Sequence, residues 1–222
     1  MVRPPVLAGR GAGTITGVVI DTEYGPASVE TDGPDSASGP GPARFLMVLT
    51  HGAGGGTDSG DLRAARDAAV GLGGAVARVV QPYRVRGARA PGSAVRQDAA
   101  WLEIITRLRD QFGGLPLVQG GRSNGARVAC RTAVAAGARG VLALAFPVHP
   151  PGRPEQSRLA ELRSAGTSVL VINGSRDPFG VPGSGDAAKV VVLAGETHAL
   201  SGSAALITEE VGGWLRGLLG GG

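Results

Sequence analysis

The sequence predicts a doubly wound α/β fold, a mostly parallel sheet flanked by helices on both faces. Three observations carry that expectation. Short apolar runs alternate with longer segments of helical periodicity through most of the 222 residues. The run FLMVLT at 45–50 is apolar at nearly every position, as a strand covered on both faces requires. No insertion is long enough to build a large cap domain. Crossovers between parallel strands in such a sheet are expected to be right-handed.

The elements follow in order. Residues 14–20 (TITGVVI) read as a first strand. Residues 22–43 mix Gly, Pro, Ser, Asp and Glu without apolar periodicity and read as a flexible loop. Strand 45–50 runs into the glycine-rich HGAGGG and then a helix at 60–72. Strand 75–81 leads to the segment 82–93 (PYRVRGARAPGS), the best candidate for a small flap. An amphipathic helix at 94–112 carries Trp101, Leu102, Ile105 and Leu108. Strand 115–119, helix 124–136, strand 140–146, helix 155–165 and strands 168–173 and 189–193 come next, before a last helix at 204–219. The whole of 1–222 is expected to form one domain.

Composition narrows the function classes. Hydrophobic residues are 42% and charged residues 18%, the balance of a globular rather than a disordered chain. Aromatics are only 4%, so the core must be built from Val, Leu, Ala and Ile. The net charge of +4 rests almost wholly on arginine, with Lys189 the single lysine. The arginines are scattered, which reads as a solvated basic surface and not a nucleic-acid site. No apolar run is long enough for a membrane helix, and the first residues lack the apolar stretch of a secretion signal. The single cysteine, Cys130, permits no intrachain disulfide. Together these lead us to expect a cytoplasmic protein, without nucleic-acid or membrane partners.

The chemistry concentrates at Gly121-Arg122-Ser123-Asn124-Gly125. Ser123 is the one serine with glycine both two before and two after it. It follows a predicted strand and opens a predicted helix, the context a nucleophile elbow demands. A side chain held at such a sharp, strained turn needs neighbours without Cβ atoms, because the flanking residues approach each other. The HGAGGG run after an earlier strand offers free main-chain N–H groups, the donors an oxyanion hole needs. The expected pair is the N–H of Ala53 and that of Asn124, the residue after the nucleophile. A dinucleotide-binding reading of the same glycines lacks the acidic residue that ribose recognition requires.

Three histidines compete for the role of base. In a Ser–acid–His chain order, only His198 follows both the serine and a plausible acid. His51 and His149 are then candidates for structural or substrate-lining roles, and Arg84, with Arg86 and Arg89, lies on the candidate flap. Asp177 is the favoured acid, since it sits just past strand 168–173 at the carboxyl edge of the sheet. Asp186 is less anchored, and Glu196 stands too near His198 in the chain. The task of Asp177 would be to hold the imidazole tautomer and stabilise the imidazolium. Cys130 reads as a small buried side chain, not a second nucleophile. No group of residues has metal-ligand spacing, and this chemistry needs no cofactor. The expected partner is a small-molecule acyl substrate: an ester, thioester or amide.

Four motifs (THGAGG at 50–55, GGRSNGARVA at 120–129, FPVHPPGRPE at 146–155 and GSRDPFG at 174–180) give the chain a further likeness. It resembles the α/β-hydrolases of the dienelactone-hydrolase-like kind. Within them it is similar to a small branch that includes a regulatory subunit of a histone-acetyltransferase complex and a testis-expressed relative. The resemblance implies a doubly wound hydrolase fold with Ser123 as nucleophile, Asp177 as acid and His198 as base. Two positions depart from the pattern: Asn124 stands where a bulkier residue is common, and Thr197 where an acid or amide is.

Overall fold

The structure, a computed structural model, describes residues 15–33 and 42–220. Its frame is an eight-stranded sheet in the order β1-β2-β4-β3-β5-β6-β7-β8. The strands are β1 (Ile15–Thr22), β2 (Gly25–Asp32), β3 (Phe45–Thr50), β4 (Gly74–Val80), β5 (Leu117–Arg122), β6 (Gly140–Leu144), β7 (Ser168–Gly174) and β8 (Lys189–Leu193). The six from β3 to β8 pair in parallel, while β1 and β2 form an antiparallel hairpin added beyond β4.

That hairpin corrects the expectation of a loop at 22–43. Residues 25–32 are a strand whose inward positions, Ala27 and Val29, are buried while their neighbours are not. Polar residues and Pro26 mask a genuine period-two alternation. The remainder of that expected loop, 34–41, lies outside the described residues.

The helices are α1 (Gly60–Gly71), α2 (Pro82–Val85), α3 (Ala94–Gln111), α4 (Asn124–Ala136), α5 (Leu159–Arg163) and α6 (Ala204–Leu219). Strand β3 shows why both faces must be covered. Met47 and Leu49 pack into the cluster that holds the buried side chains of α1 and α6. Leu46 and Val48 join Trp101, Ile104, Ile105 and Leu108 of α3 on the other side. A third cluster seats α4 and α5 with Val141, Ala143 and Val171. Every residue of β3 is buried, which is why its sequence is apolar up to Thr50.

Strand order locates the site. The chain goes from β3 to β4 on one side, then returns to place β5 on the other side of β3. Loops leaving the carboxyl ends of β3 and β5 therefore diverge, and the crevice between them is where doubly wound sheets bind ligands. The loop after β3 is His51-Gly-Ala-Gly-Gly-Gly, and the residue after β5 is Ser123.

Candidate active site

Ser123 stands between β5 and α4 with φ 52° and ψ −114°, a left-handed conformation that a side chain rarely adopts. Such strain costs on the order of 1–3 kcal/mol and persists only where the surroundings impose it. Here main chain imposes it. A Cβ on Gly121 would stand 2.5 Å from the Thr50 carbonyl oxygen and 2.9 Å from the carbonyl carbon of Gly125. One on Gly125 would stand 2.7 Å from the carbonyl oxygens of both Thr50 and His51. The two glycines are therefore steric necessities of the turn.

The three residues drawn from distant parts of the chain meet at this turn. The Ser123 hydroxyl lies 2.9 Å from Nε2 of His198, and Nδ1 of His198 lies 2.8 Å from Oδ2 of Asp177. In the tautomer that satisfies both contacts, Nδ1–H donates to Asp177 and Nε2 accepts from the hydroxyl. Asp177 is buried, and its other oxygen accepts from the Phe179 main-chain N–H at 2.9 Å. The Phe179 ring meets the imidazole edge-on, with centroids 4.6 Å apart. Asn173, fully buried at the end of β7, bonds the Phe146 main chain through both its oxygen (2.9 Å) and its nitrogen (3.0 Å). That bond ties the strand end before Asp177 to the segment after β6. The competing acids are engaged elsewhere: Asp186 with Arg163 and Gly183, Glu196 with Gly202 and Ser203.

The glycine-rich loop lies directly on the elbow, since a Cβ on Gly52 would come 3.3 Å from that of Ser123. Asn124 is the first residue of α4, so its N–H has no acceptor within the helix. The Ala53 N–H donates to no main-chain carbonyl among the described residues. Side chains hold both residues. The Tyr83 hydroxyl donates to the Ala53 carbonyl at 3.1 Å, and the Asn124 amide donates to Gln97 at 2.7 Å. The unusual Asn124 is thus the partner of a buried glutamine of α3.

The remaining candidates divide. Of the structural and substrate-lining roles open to His51, its full burial fits the structural one. Its Nδ1–H donates to the Gly52 carbonyl at 2.7 Å, and its Nε2 accepts from the Gln81 N–H at 3.0 Å. Burial lowers its pKa from the ordinary value, which favours that neutral form. Arg84 bonds the Ala88 carbonyl of its own loop, and the flap arginine on the adjoining cavity is Arg86. His149 is half-buried, and its main-chain N–H donates to the Phe179 carbonyl, which puts it on the wall beside His198. Burial pushes the Cys130 thiol up to about 12, so it offers no thiolate at neutral pH. Among the described residues no group of His, Cys, Asp or Glu is arranged to hold a metal, and no helix is long and apolar enough to cross a membrane.

Sequence reading missed Arg122, the variable position inside the elbow motif. Its Nε donates to buried Asp61 of α1 at 2.8 Å, and its Nη2 donates to the His198 carbonyl at 2.6 Å. Among the described residues this is the one hydrogen bond made to the His198 main chain. A flat guanidinium can bridge two acceptors in this way. Nothing in the local sequence signals it, because Asp61 and His198 are remote in the chain.

An elbow serine at the switch point of a doubly wound sheet, facing a histidine and a buried aspartate, defines the class of α/β-hydrolase folds. The sequence agrees: residues 43–198 match the alpha/beta hydrolase domain family, and the chain belongs to it. No curated protein matches the chain as a relative. Solved structures share its fold at low identity. Est1E from Butyrivibrio proteoclasticus is 15% identical with a TM-score of 0.75, over 93% of this chain and 100% of that one. An alpha-beta serine hydrolase homologue from Coxiella burnetii is 16% identical with a TM-score of 0.75, over 93% and 100%. XC6422 from Xanthomonas campestris, described as a serine hydrolase without a lid, is 20% identical with a TM-score of 0.72, over 90% and 94%.

Proposed function

We propose that this chain is a serine-dependent esterase acting on small acyl substrates, with Ser123 as nucleophile, His198 as base and Asp177 as its orienting acid. The observation that carries the reading is the unbroken hydrogen-bonded line from the Ser123 hydroxyl through His198 to buried Asp177. The Ser123 oxygen attacks the acyl carbon while Nε2 of His198 takes its proton. The N–H groups of Ala53 and Asn124 receive the negative charge on the carbonyl oxygen, a task worth about 10²–10³ in rate per donor in comparable sites. His198 returns the proton to the departing alcohol, thiol or amine, leaving an acyl-serine. Water then attacks the acyl carbon and gives its proton to His198, which passes it to the Ser123 oxygen as the acyl–oxygen bond breaks and the acid departs.

Several features support this reading. The family is one of hydrolases, and structural neighbours carry the names esterase and serine hydrolase. The likeness of the four motifs to the dienelactone-hydrolase-like branch points the same way. The test is labelling by a fluorophosphonate probe together with turnover of 4-nitrophenyl acetate. Wild type is expected to label and turn over, and Ser123→Ala to do neither. Equal labelling of the two would refute the assignment, and a folded wild type inert in both assays would favour a non-catalytic interaction domain.

A further inference from the structure

We infer that the cavity between the β1–β2 turn, α2 and the start of α3 is the acyl-group site, and that it takes aryl acyl groups. The inference rests on the esterase reading and goes beyond it by assigning the two arms of the substrate to different walls.

The cavity has a volume of about 810 Å³, within the roughly 300–1,000 Å³ of small-molecule sites. Two hydrogen bonds join its wall to the oxyanion donors. Tyr83 and Gln97 both line it, and they hold the Ala53 carbonyl and the Asn124 side chain. A carbonyl oxygen bound by the N–H groups of Ala53 and Asn124 therefore sits beside this wall.

The direction of the substrate follows from the base. His198 must deliver a proton to the leaving group, so the leaving group lies on its side, near Phe179 and His149. All cavity-lining residues fall within 23–25 and 81–100, and none comes from the segments that carry Asp177 or His198. The arm that enters the cavity is thus the acyl arm. Its character follows from the lining: Tyr24, Pro82, Tyr83, Pro91 and Ala100 supply rings and small apolar surfaces. Flat aromatic groups pack well against such rings. Glu23, Arg86 and Arg96 complete the lining with charged groups, suiting polar substituents on the ring.

The test compares 4-nitrophenyl acetate, 4-nitrophenyl benzoate and 4-methylumbelliferyl acetate in wild type, Ala100→Phe and Ala90→Trp. Ala90 is exposed on the cavity lining, so its replacement does not threaten folding. Each variant is expected to lower kcat/KM for the benzoate by about tenfold or more relative to wild type, while the two acetates move little and together. Equal losses on benzoate and acetates, losses that follow the size of the alcohol, or no loss in Ala90→Trp would overturn the assignment. A wild type that labels with fluorophosphonate yet is unaffected by the acyl group fails this inference alone. A wild type that neither labels nor turns over fails the esterase reading beneath it.

Discussion

His51 and His198 both follow strands at the same edge of the sheet, yet the structure uses them in opposite ways. The ring of His51 is buried, and both its nitrogens bond main-chain groups, the Gly52 carbonyl and the Gln81 N–H. The ring of His198 keeps 19% of its side-chain surface exposed, and both its nitrogens face side chains, Ser123 and Asp177. A main-chain amide or carbonyl holds a ring in place and does not exchange protons with it at neutral pH. A hydroxyl and a carboxylate can share a proton with it. Thus partner type, more than the residue itself, separates a strut from a candidate base.

The contrast can be broken from either side. On the proposed mechanism, His198→Ala lowers kcat on 4-nitrophenyl acetate by about a thousandfold or more and leaves the melting temperature near that of wild type. His51→Ala does the reverse. Two buried main-chain groups lose their partner and a cavity opens, so unfolding free energy falls by about 2–4 kcal/mol, measured by urea denaturation. Its folded fraction still labels with fluorophosphonate far better than His198→Ala does. If His51→Ala proved stable but inert, the division of labour would be wrong.

Arg122→Lys sharpens the comparison, because it reaches His198 through the main chain only. Lysine cannot span Asp61 and the His198 carbonyl with a planar fork. Loosening the loop that presents the imidazole is expected to lower kcat about 10- to 100-fold with KM nearly unchanged. Steady-state kinetics and a melting curve on the same sample would expose a purely structural role, which would shift the melting temperature and spare kcat.

The smallest expected effect is one of pH. The folded-state pKa of His51 is lowered, so the unfolded chain binds the proton more readily. Stability from this residue is complete above the unfolded value of about 6.5 and declines as pH falls from there toward the folded value. The slope from one proton cannot exceed about 1.4 kcal/mol per pH unit. Urea midpoints between pH 5 and 8 should show a decline that is shallower in His51→Gln.

Much of this was legible beforehand. The parallel core could be read because strands such as β3 are buried on both faces and carry a polar residue only at the end, Thr50. Chain order singled out His198 over His51 as the candidate base, and His198 is the histidine that lies against Ser123 and Asp177. What stayed hidden was whatever depends on partners far away in sequence. β2 has only Ala27 and Val29 facing inward, and its other residues look like a loop. The expected strand 115–119 in fact runs over Leu117–Arg122, through two glycines that local propensity disfavours but Leu142 and Thr50 require. The burial of His51 and the bridging of Arg122 are likewise tertiary facts.

The elbow glycines carry one more consequence. The atoms crowding Gly121 and Gly125 are main-chain carbonyls and a Cα, with a single side-chain methyl among them, that of buried Thr50. The height and tilt of the serine are therefore insulated from changes on the walls around it. On the proposed acyl site, exposed lining residues such as Ala90 can be exchanged while the Ser123 oxygen stays where it is. A fold built in this way can be retooled without being rebuilt, and chains sharing only 15–20% of their residues can still superpose along nearly their whole length.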